Sequence, residues 1–276
     1  MTAEMIIEEL QYRGFNAKSH NVVKNGIELE GIIILNDTPI APVIYTEELI
    51  SKANEENQSI ETVVDTILSM YENHKELPFD TSLFHNRDFI LQNIFIGLQK
   101  TSSDELIKKA CDELNGIESY LYMRIELPDH TQGSVKLHHA LLEKATISEE
   151  EAWCIAKHNT FAETKLSSMR KVLENYFDLD FPTELEPEMP LHILTNQNNF
   201  RGASAILNKQ VLKDFGATYN VDKILVLPSS IHEMLIAPYT EDMNIEEFSY
   251  MVTEVNHTQV DPTERLTDTA YILSIA

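Results

Sequence analysis

Cysteine is scarce in this chain, which has only Cys111 and Cys154 among 276 residues. A disulfide framework or a cysteine-based metal site would need more thiols at closer spacing. So few cysteines are typical of proteins in a reducing compartment, and we therefore expect a cytoplasmic protein.

Long apolar runs are also missing. A membrane-spanning helix needs about 20 apolar residues, whereas the longest apolar stretches here, such as 32–35 and 224–227, have the length of strands. The first residues, MTAEMIIEELQYRGF, are acidic and amphipathic and have no basic start, which argues against a signal peptide. The sequence therefore predicts no membrane association.

Basic residues are outnumbered by acidic ones, 21 to 45, and the formal net charge is −24. The excess of acids runs through each third of the chain instead of forming a tail. Such a surface repels nucleic acids and anionic membranes, because it offers no basic patch that would release their counterions. Solubility is its simplest consequence. Attraction of a basic protein partner and imitation of a nucleic acid are two further readings, and we expect no direct nucleic-acid binding.

Glycine is scarce as well, and none of the eight glycines falls in a Gly-x-Gly-x-x-Gly or Walker pattern. The start of a zinc-protease helix is present at His232-Glu233, but Ile236 stands where the second histidine would be. The carboxylates near the C-terminus lack the spacing of a calcium loop. We therefore expect no cofactor and no metal.

The chain has enough apolar residues for a core: hydrophobic residues make up 43% and charged residues 24%. The length suits one large domain or two lobes. Residues 174–188 contain six acids, two prolines and no base, which favours a boundary between an N-terminal lobe, 1–180, and a C-terminal lobe, 189–276. A single continuous domain is the alternative.

Helical and strand periodicities alternate along the chain. The residues of 3–13 and 59–71 have helical spacing, and Asn25-Gly26 between alternating residues predicts a β-hairpin. Ser148 with Glu151 forms a capping box at the start of another helix. Because several strands are joined by short turns, the pattern predicts an α+β fold with mixed or antiparallel sheets and packed helices.

Two segments are harder to interpret from the pattern. Residues 87–99 fit neither period well and allow a strand or a buried helix. Residues 103–114 have helical spacing, and Asn115-Gly116 after them is a typical helix end, so the sequence predicts a helix there.

The segment Ser229-Ser230-Ile231-His232-Glu233 contains candidates for catalysis, because a nucleophile, a base and an acid occur within five residues. In a strand, Ser230 and His232 would share a face and Glu233 would point away. The acid that orients the histidine would then come from elsewhere, for example from Glu254. No Gly-x-Ser-x-Gly elbow is present. The alternative is a polar hairpin turn in which His232 has only a structural role.

Asn256 and Asp268 are a second pair of candidates. They are polar residues in apolar surroundings, which is typical of a helix cap or a bridged turn, and a binding role is the alternative.

The C-terminal third contains two distinctive motifs, LPSSIHE at 227–233 and MVTEVN at 251–256. With these motifs, the Val23-Lys24-Asn25-Gly26 turn and the Ile147–Glu151 segment, the chain resembles a family of bacterial proteins of unknown function, found mainly in gut-associated Gram-positive bacteria and their mobile elements. The resemblance implies a bacterial cytosolic protein and implies no activity.

These observations favour a non-enzymatic protein-interaction module with a protein partner, which the acidity predicts to be basic. The alternative is a hydrolase or small-molecule enzyme that uses the Ser229–Glu233 segment with Glu254. Nothing in the sequence indicates a substrate or an oligomeric state.

Overall fold

A computed structural model describes residues 1–35, 43–74, 80–126, 132–178 and 189–275. They form two compact units, the first from residues 1–81 and the second from residues 82–126 and 132–275. None of the helices in these ranges combines the length and apolar character needed to cross a bilayer.

The first unit contains three α-helices and five strands in its described residues, 1–35 and 43–74. The helices are Ala3–Tyr12 (α1), Glu47–Glu55 (α2) and Ile60–His74 (α3). The strands are Ala17–Ser19 (β1), Val22–Lys24 (β2), Ile27–Leu29 (β3), Gly31–Ile34 (β4) and Val43–Tyr45 (β5). An antiparallel sheet has the order β1-β4-β5, and its core includes Ile6, Leu10, Ile32 and Val64.

The hairpin predicted around Asn25-Gly26 is confirmed. Val22–Lys24 pairs with Ile27–Leu29, and the φ angles of the two turn residues are 51° and 79°. Both angles lie in the left-handed region that Asn and Gly tolerate better than other residues, so these two residues determine the turn.

The second unit contains six α-helices and nine strands in its described ranges. The helices are Arg87–Asn93 (α4), His139–Lys144 (α5), Glu149–Ala162 (α6), Met169–Phe177 (α7), Lys209–Tyr219 (α8) and Ile245–Gln259 (α9). The strands are Ile94–Lys100 (β6), Lys108–Ala110 (β7), Ile117–Glu126 (β8), Gln132–Lys136 (β9), Thr164–Ser168 (β10), His192–Asn196 (β11), Lys223–Ser230 (β12), Glu233–Pro238 (β13) and Tyr271–Ser274 (β14).

These strands form two antiparallel sheets. In the four-stranded sheet, β8 pairs with β6 on one edge and with β7 and then β9 along the other. The five-stranded sheet has the order β10-β11-β13-β12-β14. The α+β class predicted from the sequence is therefore confirmed.

One face of the four-stranded sheet is apolar. Ile94 and Ile96 of β6 and Leu121 and Met123 of β8 are buried there with residues of α4, α5 and α6. Because side chains alternate along a strand, the residues between them lie on the opposite face, which is polar and aromatic.

The helix predicted for residues 103–114 was wrong. Lys108–Ala110 is a strand that pairs with Glu118–Tyr120, and the backbone N–H of Cys111 donates to the carbonyl of Ile117. Gly116, with φ of 87°, belongs to a turn between two strands instead of a helix end. For residues 108–110, pairing with the long strand β8 determined the structure, although the apolar residues have helical spacing. Residues 87–99 form a helix followed by a strand, so each of the two readings holds for half of the segment.

The boundary predicted near residue 180 falls within residues 179–188, outside the described residues. Thr164–Ser168 and His192–Asn196, which precede and follow this segment, are adjacent strands of one sheet. The division between the lobes 1–180 and 189–276 stays a prediction.

Candidate functional site

The segment Ser229–Glu233 connects β12 to β13. Ser229 and Ser230 end β12, Glu233 begins β13 and pairs with Ser230, and Ile231 and His232 lie in the turn between the strands. The alternation expected for a strand does not apply to His232, because it lies in the turn.

The ring of His232 has a partner at each nitrogen. The backbone N–H of Arg201 donates to Nδ1 over 3.2 Å, and Nε2 lies 3.2 Å from Oε1 of Glu264. Nδ1 therefore acts as the acceptor, so the neutral ring carries its proton on Nε2 and donates it to Glu264. The carboxylate that orients His232 is thus Glu264, which the sequence analysis did not select.

The two serines form hydrogen bonds away from the imidazole. Ser230 Oγ accepts from the backbone N–H of His232 at 3.0 Å, and Ser229 Oγ donates to Oε1 of Glu233 at 3.4 Å. Glu254 is exposed on α9. A serine that is activated by a histidine needs a hydrogen bond between its hydroxyl and the imidazole ring. Among the described residues, neither Ser229 nor Ser230 forms such a bond with His232. The geometry gives no support to the predicted catalytic role, which stays a prediction for Ser229, Ser230, His232, Glu233 and Glu254.

Asn256 and Asp268 lie in contact. Asn256 Nδ2 donates to the carbonyl of Thr267 at 3.0 Å and to Oδ1 of Asp268 at 3.1 Å. Asp268 Oδ2 lies 3.4 Å from Nε2 of His257. Because Asn256 is buried, these bonds attach α9 to the segment that leads into β14. The arrangement fits the bridging reading, and a binding role stays a prediction.

The two faces of α9 differ in character. Its inward face places Val252, Phe248 and Ile245 in an apolar cluster with the five-stranded sheet. Its outward face includes six exposed residues before the last turn, which are Glu246, Glu247, Tyr250, Met251, Glu254 and Val255, and His257, Thr258 and Gln259 are exposed in the last turn.

The polar face of the four-stranded sheet is a site that the sequence analysis missed. Glu118, Tyr120, Tyr122 and Arg124 follow one another on this face of β8. The alternation was visible in the sequence, since every second residue of the strand is polar or aromatic. The residues that meet them from other elements were not visible.

Glu118 lies at one end of this face. Its Oε1 accepts hydrogen bonds from Gln99 Nε2 at 2.8 Å, from Ser102 Oγ at 2.9 Å and from Lys108 Nζ at 3.1 Å. Burial raises the pKa of this carboxyl, but the hydrogen bonds from Gln99, Ser102 and Lys108 outweigh the burial and hold the pKa below its usual value. Glu118 is therefore an ionised carboxylate whose Oε1 is held by several donors.

Arg124 lies at the other end and is also paired. Its Nη1 and Nη2 donate to the two carboxylate oxygens of Glu163 at 2.8 and 2.6 Å, and its guanidinium lies 4.0 Å from the ring centre of Phe95. This two-point geometry is the strong form of an arginine–carboxylate pair.

Between these ends lies Tyr120, whose side chain is 1% exposed. Arg201 Nη1 donates to the Tyr120 hydroxyl oxygen at 2.6 Å, and Arg201 Nε donates to Ser134 Oγ at 3.0 Å. Lys136 Nζ lies 5.1 Å from the centre of the Tyr120 ring and donates to Gln99 Oε1 at 2.7 Å. Burial raises the pKa of the Tyr120 hydroxyl, and the Arg201 charge opposes this shift. The hydroxyl is therefore neutral at physiological pH.

Close packing of the chain around Gly202 holds Arg201 in place. A Cβ on Gly202 would lie 2.3 Å from Thr195 Oγ1 and 2.8 Å from the His232 carbonyl oxygen, so only glycine fits here. Asn196 closes the preceding loop by hydrogen bonds of 2.8 and 3.1 Å to the backbone of Phe200. Arg201 consequently lies between the turn of His232 and the polar sheet face.

No group of three or more His, Cys, Asp or Glu side chains among the described residues is arranged to hold a metal ion.

Comparison with known proteins places the chain in a family. The model described as "Family of unknown function (DUF5688)" matches residues 2–274, and the chain therefore belongs to this family. No curated protein and no solved structure matches the chain.

Proposed function

We propose that this member of a family of unknown function is a non-enzymatic protein-interaction module, whose outward face of α9 binds a basic amphipathic segment of another protein. The observation that carries the proposal is the combination of exposed apolar side chains and carboxylates on that face. A cytosolic location and a bacterial source belong to the proposal too, supported by the scarcity of cysteine and by the resemblance of the sequence motifs.

The outward face of α9 has an unusual share of apolar surface. Tyr250, Met251 and Val255 are 72%, 50% and 46% exposed, whereas the other face of the helix packs against the sheet. Tyrosine and methionine are enriched in protein interfaces relative to the rest of the surface. Met251 and Val255 are four residues apart and therefore lie one turn apart on α9, a spacing that suits the side chains of a helix laid across it.

The charge of this face determines which partner it suits. Glu246, Glu247 and Glu254 lie among the three apolar residues, and α9 contains no lysine or arginine. The whole chain adds a formal charge of −24, which attracts cations over a longer range. A partner with lysines and arginines around an apolar stripe would satisfy both features, whereas an acidic or purely apolar partner would not.

The proposal can be tested with a designed peptide of lysine and leucine in amphipathic helical order and with a scrambled peptide of the same composition. Fluorescence anisotropy of the labelled peptides measures their affinity for the protein over a range of salt concentrations. We expect the ordered peptide to bind more tightly than the scrambled one, and its binding to weaken as salt rises.

Two pairs of variants locate the binding. Replacing both Glu246 and Glu254 by Gln should reduce the affinity and its dependence on salt, and replacing both Tyr250 and Met251 by Ser should reduce the affinity at every salt concentration. The matched control replaces Glu143 and Glu150, two exposed carboxylates outside α9, by Gln. Equal losses in the control and α9 variants, or equal binding of the two peptides, would overturn the proposal.

A further inference from the structure

We propose that Arg201, Lys136, Tyr120 and Ser134 form a binding site for a small oxyanion, a phosphate or carboxylate group, on the polar face of the four-stranded sheet. The site shares no residue with the outward face of α9, so the two proposals stand or fall separately.

The first argument is an excess of hydrogen-bond donors. Tyr120 accepts from Arg201, and its own O–H has no acceptor among the described residues. The same holds for the O–H of Ser134, which accepts from Nε of Arg201. Arg201 has five N–H groups in all, and two of them have partners in this part of the structure. Of these residues Tyr120 is buried, whereas Ser134 and Arg201 are half-buried. Buried donors normally have acceptors, and a ligand rich in oxygen acceptors would supply one to the Tyr120 hydroxyl and others to Ser134 and Arg201.

The second argument is the balance of charge along the sheet face. Lys108 and Arg124, at its two ends, form close ion pairs with Glu118 and Glu163. The cations between them are not matched in this way. Among the described residues, Lys136 has only the more distant carboxylate of Asp104, at 3.9 Å, and Arg201 has no ion pair. In a chain with more than twice as many acids as bases, an arginine to which this part of the chain offers no carboxylate is in a position suited to an external anion.

The two cations are also close enough to affect each other. Burial lowers the pKa of Lys136, and although the carboxylate of Asp104 opposes the shift, the positive charge of Arg201 adds to it. A bound anion would lie near both cations and relieve this repulsion.

The third argument is that the site is rigidly built. Tyr120 lies directly over Gly97 of β6, where an added Cβ would come within 2.6 Å of its ring. Arg201 has a φ of 52°, a left-handed conformation that is uncommon for a residue with a long side chain. Backbone strain of this kind clusters at active sites, ligand clamps and switch regions.

The two cations of the site are accessible from solvent. Lys136 is 26% exposed and Arg201 is half-buried, whereas Tyr120 is buried.

Isothermal titration calorimetry of the full chain with sodium phosphate and with sodium acetate, at ionic strength held constant with sodium chloride, tests the proposal. Binding of phosphate alone identifies a phosphate site, binding of acetate alone identifies a carboxylate site, and binding of both identifies a site that accepts either oxyanion. If neither anion binds more tightly than chloride, the proposal is wrong.

Three variants assign the site to these residues. Lys136→Gln removes a charge, Tyr120→Phe removes one donor but retains the ring, and Arg201→Gln removes the guanidinium. We expect each to weaken the binding, about tenfold or more for the two charge variants. Lys213→Gln, which removes an exposed lysine of α8, is the matched control and should bind as the unmodified protein does. If Arg201→Gln does not fold, Lys136→Gln and Tyr120→Phe decide the question, and unchanged binding in both would overturn the assignment.

Discussion

Arg201 and Tyr120 are 81 residues apart in the chain, and the guanidinium of the first lies 2.6 Å from the hydroxyl oxygen of the second. This contact connects the loop after β11 to the middle of the polar sheet face. The backbone N–H of the same arginine donates to the ring of His232. Arg201 thus joins the segment that the sequence analysis selected as catalytic to a polar face that it did not select.

Replacement of Gly97 by alanine should destabilise the protein by about 1 to 3 kcal/mol, because the new methyl group would overlap the Tyr120 ring. Urea unfolding monitored by circular dichroism measures the loss. The same replacement in a protein that already carries Tyr120→Ala should cost much less, because the overlapping ring is gone. Equal costs in the two backgrounds would show that Tyr120 is not what requires glycine at this position.

Replacement of Glu118 by glutamine should reduce stability at neutral pH by about 1.5 to 3 kcal/mol, the value of hydrogen bonds to a charged group. The folded pKa of this carboxyl is depressed, so its stabilising contribution is present above the unfolded pKa and is lost as the pH falls through the folded pKa. Unfolding curves of the two proteins should therefore converge under acidic conditions.

The control for this prediction is Glu150→Gln on the exposed side of α6, which should change stability little at any pH. A constant difference between the Glu118 variant and the unmodified protein from neutral to acidic pH would contradict the prediction, since it would mean that the loss does not depend on ionisation of Glu118.

The stability should also depend on His192. Its ring lies 5.1 and 5.5 Å from the ring centres of Phe215 and Tyr219, and burial lowers its pKa against the opposing effect of the Pro190 carbonyl. The unfolded chain then takes up the proton more readily than the folded one, so stability falls as the pH is lowered through the ordinary histidine range.

We expect His192→Gln to flatten the dependence of the unfolding free energy on pH between about pH 7 and pH 5. His158→Gln, at an exposed position on α6, should leave the dependence as it is. If both variants follow the unmodified protein, His192 does not contribute to the acid sensitivity.

Short-range signals predicted those parts of the fold that a few neighbouring residues determine. The φ angles of Asn25 and Gly26 are both positive, as the hairpin turn requires, so these two residues determine the turn. Ser148 accepts from the backbone N–H of Glu151 at 3.2 Å, as expected for a helix cap. The carboxylate of Glu151, however, binds Arg87, 64 residues away, which the local motif does not indicate.

The candidate site was harder to predict because it depends on where strands end and on what lies opposite them. Whether His232 faces Ser230 depends on the last residue of β12, and the turn at Ile231-His232 gave the ring different neighbours. Arg201 belongs to no sequence motif. Its position depends on Gly202, which allows the chain to pass close to Thr195 and to the His232 carbonyl. Such relationships come from tertiary packing and leave no periodic pattern in the sequence.

Replacement of Asn256 by alanine distinguishes its two sequence-based readings. If the residue bridges α9 to the segment before β14, its loss leaves the Thr267 carbonyl and the Asp268 carboxylate without their donor and should reduce stability by about 1 to 3 kcal/mol. Binding of the basic peptide to the outward face of α9 should not change, because Asn256 lies on the opposite side of the helix. Thr258→Ala, at an exposed position of the same helix, is the control and should have little effect on stability. Unchanged stability together with weakened peptide binding would favour a binding role for Asn256 over the bridge.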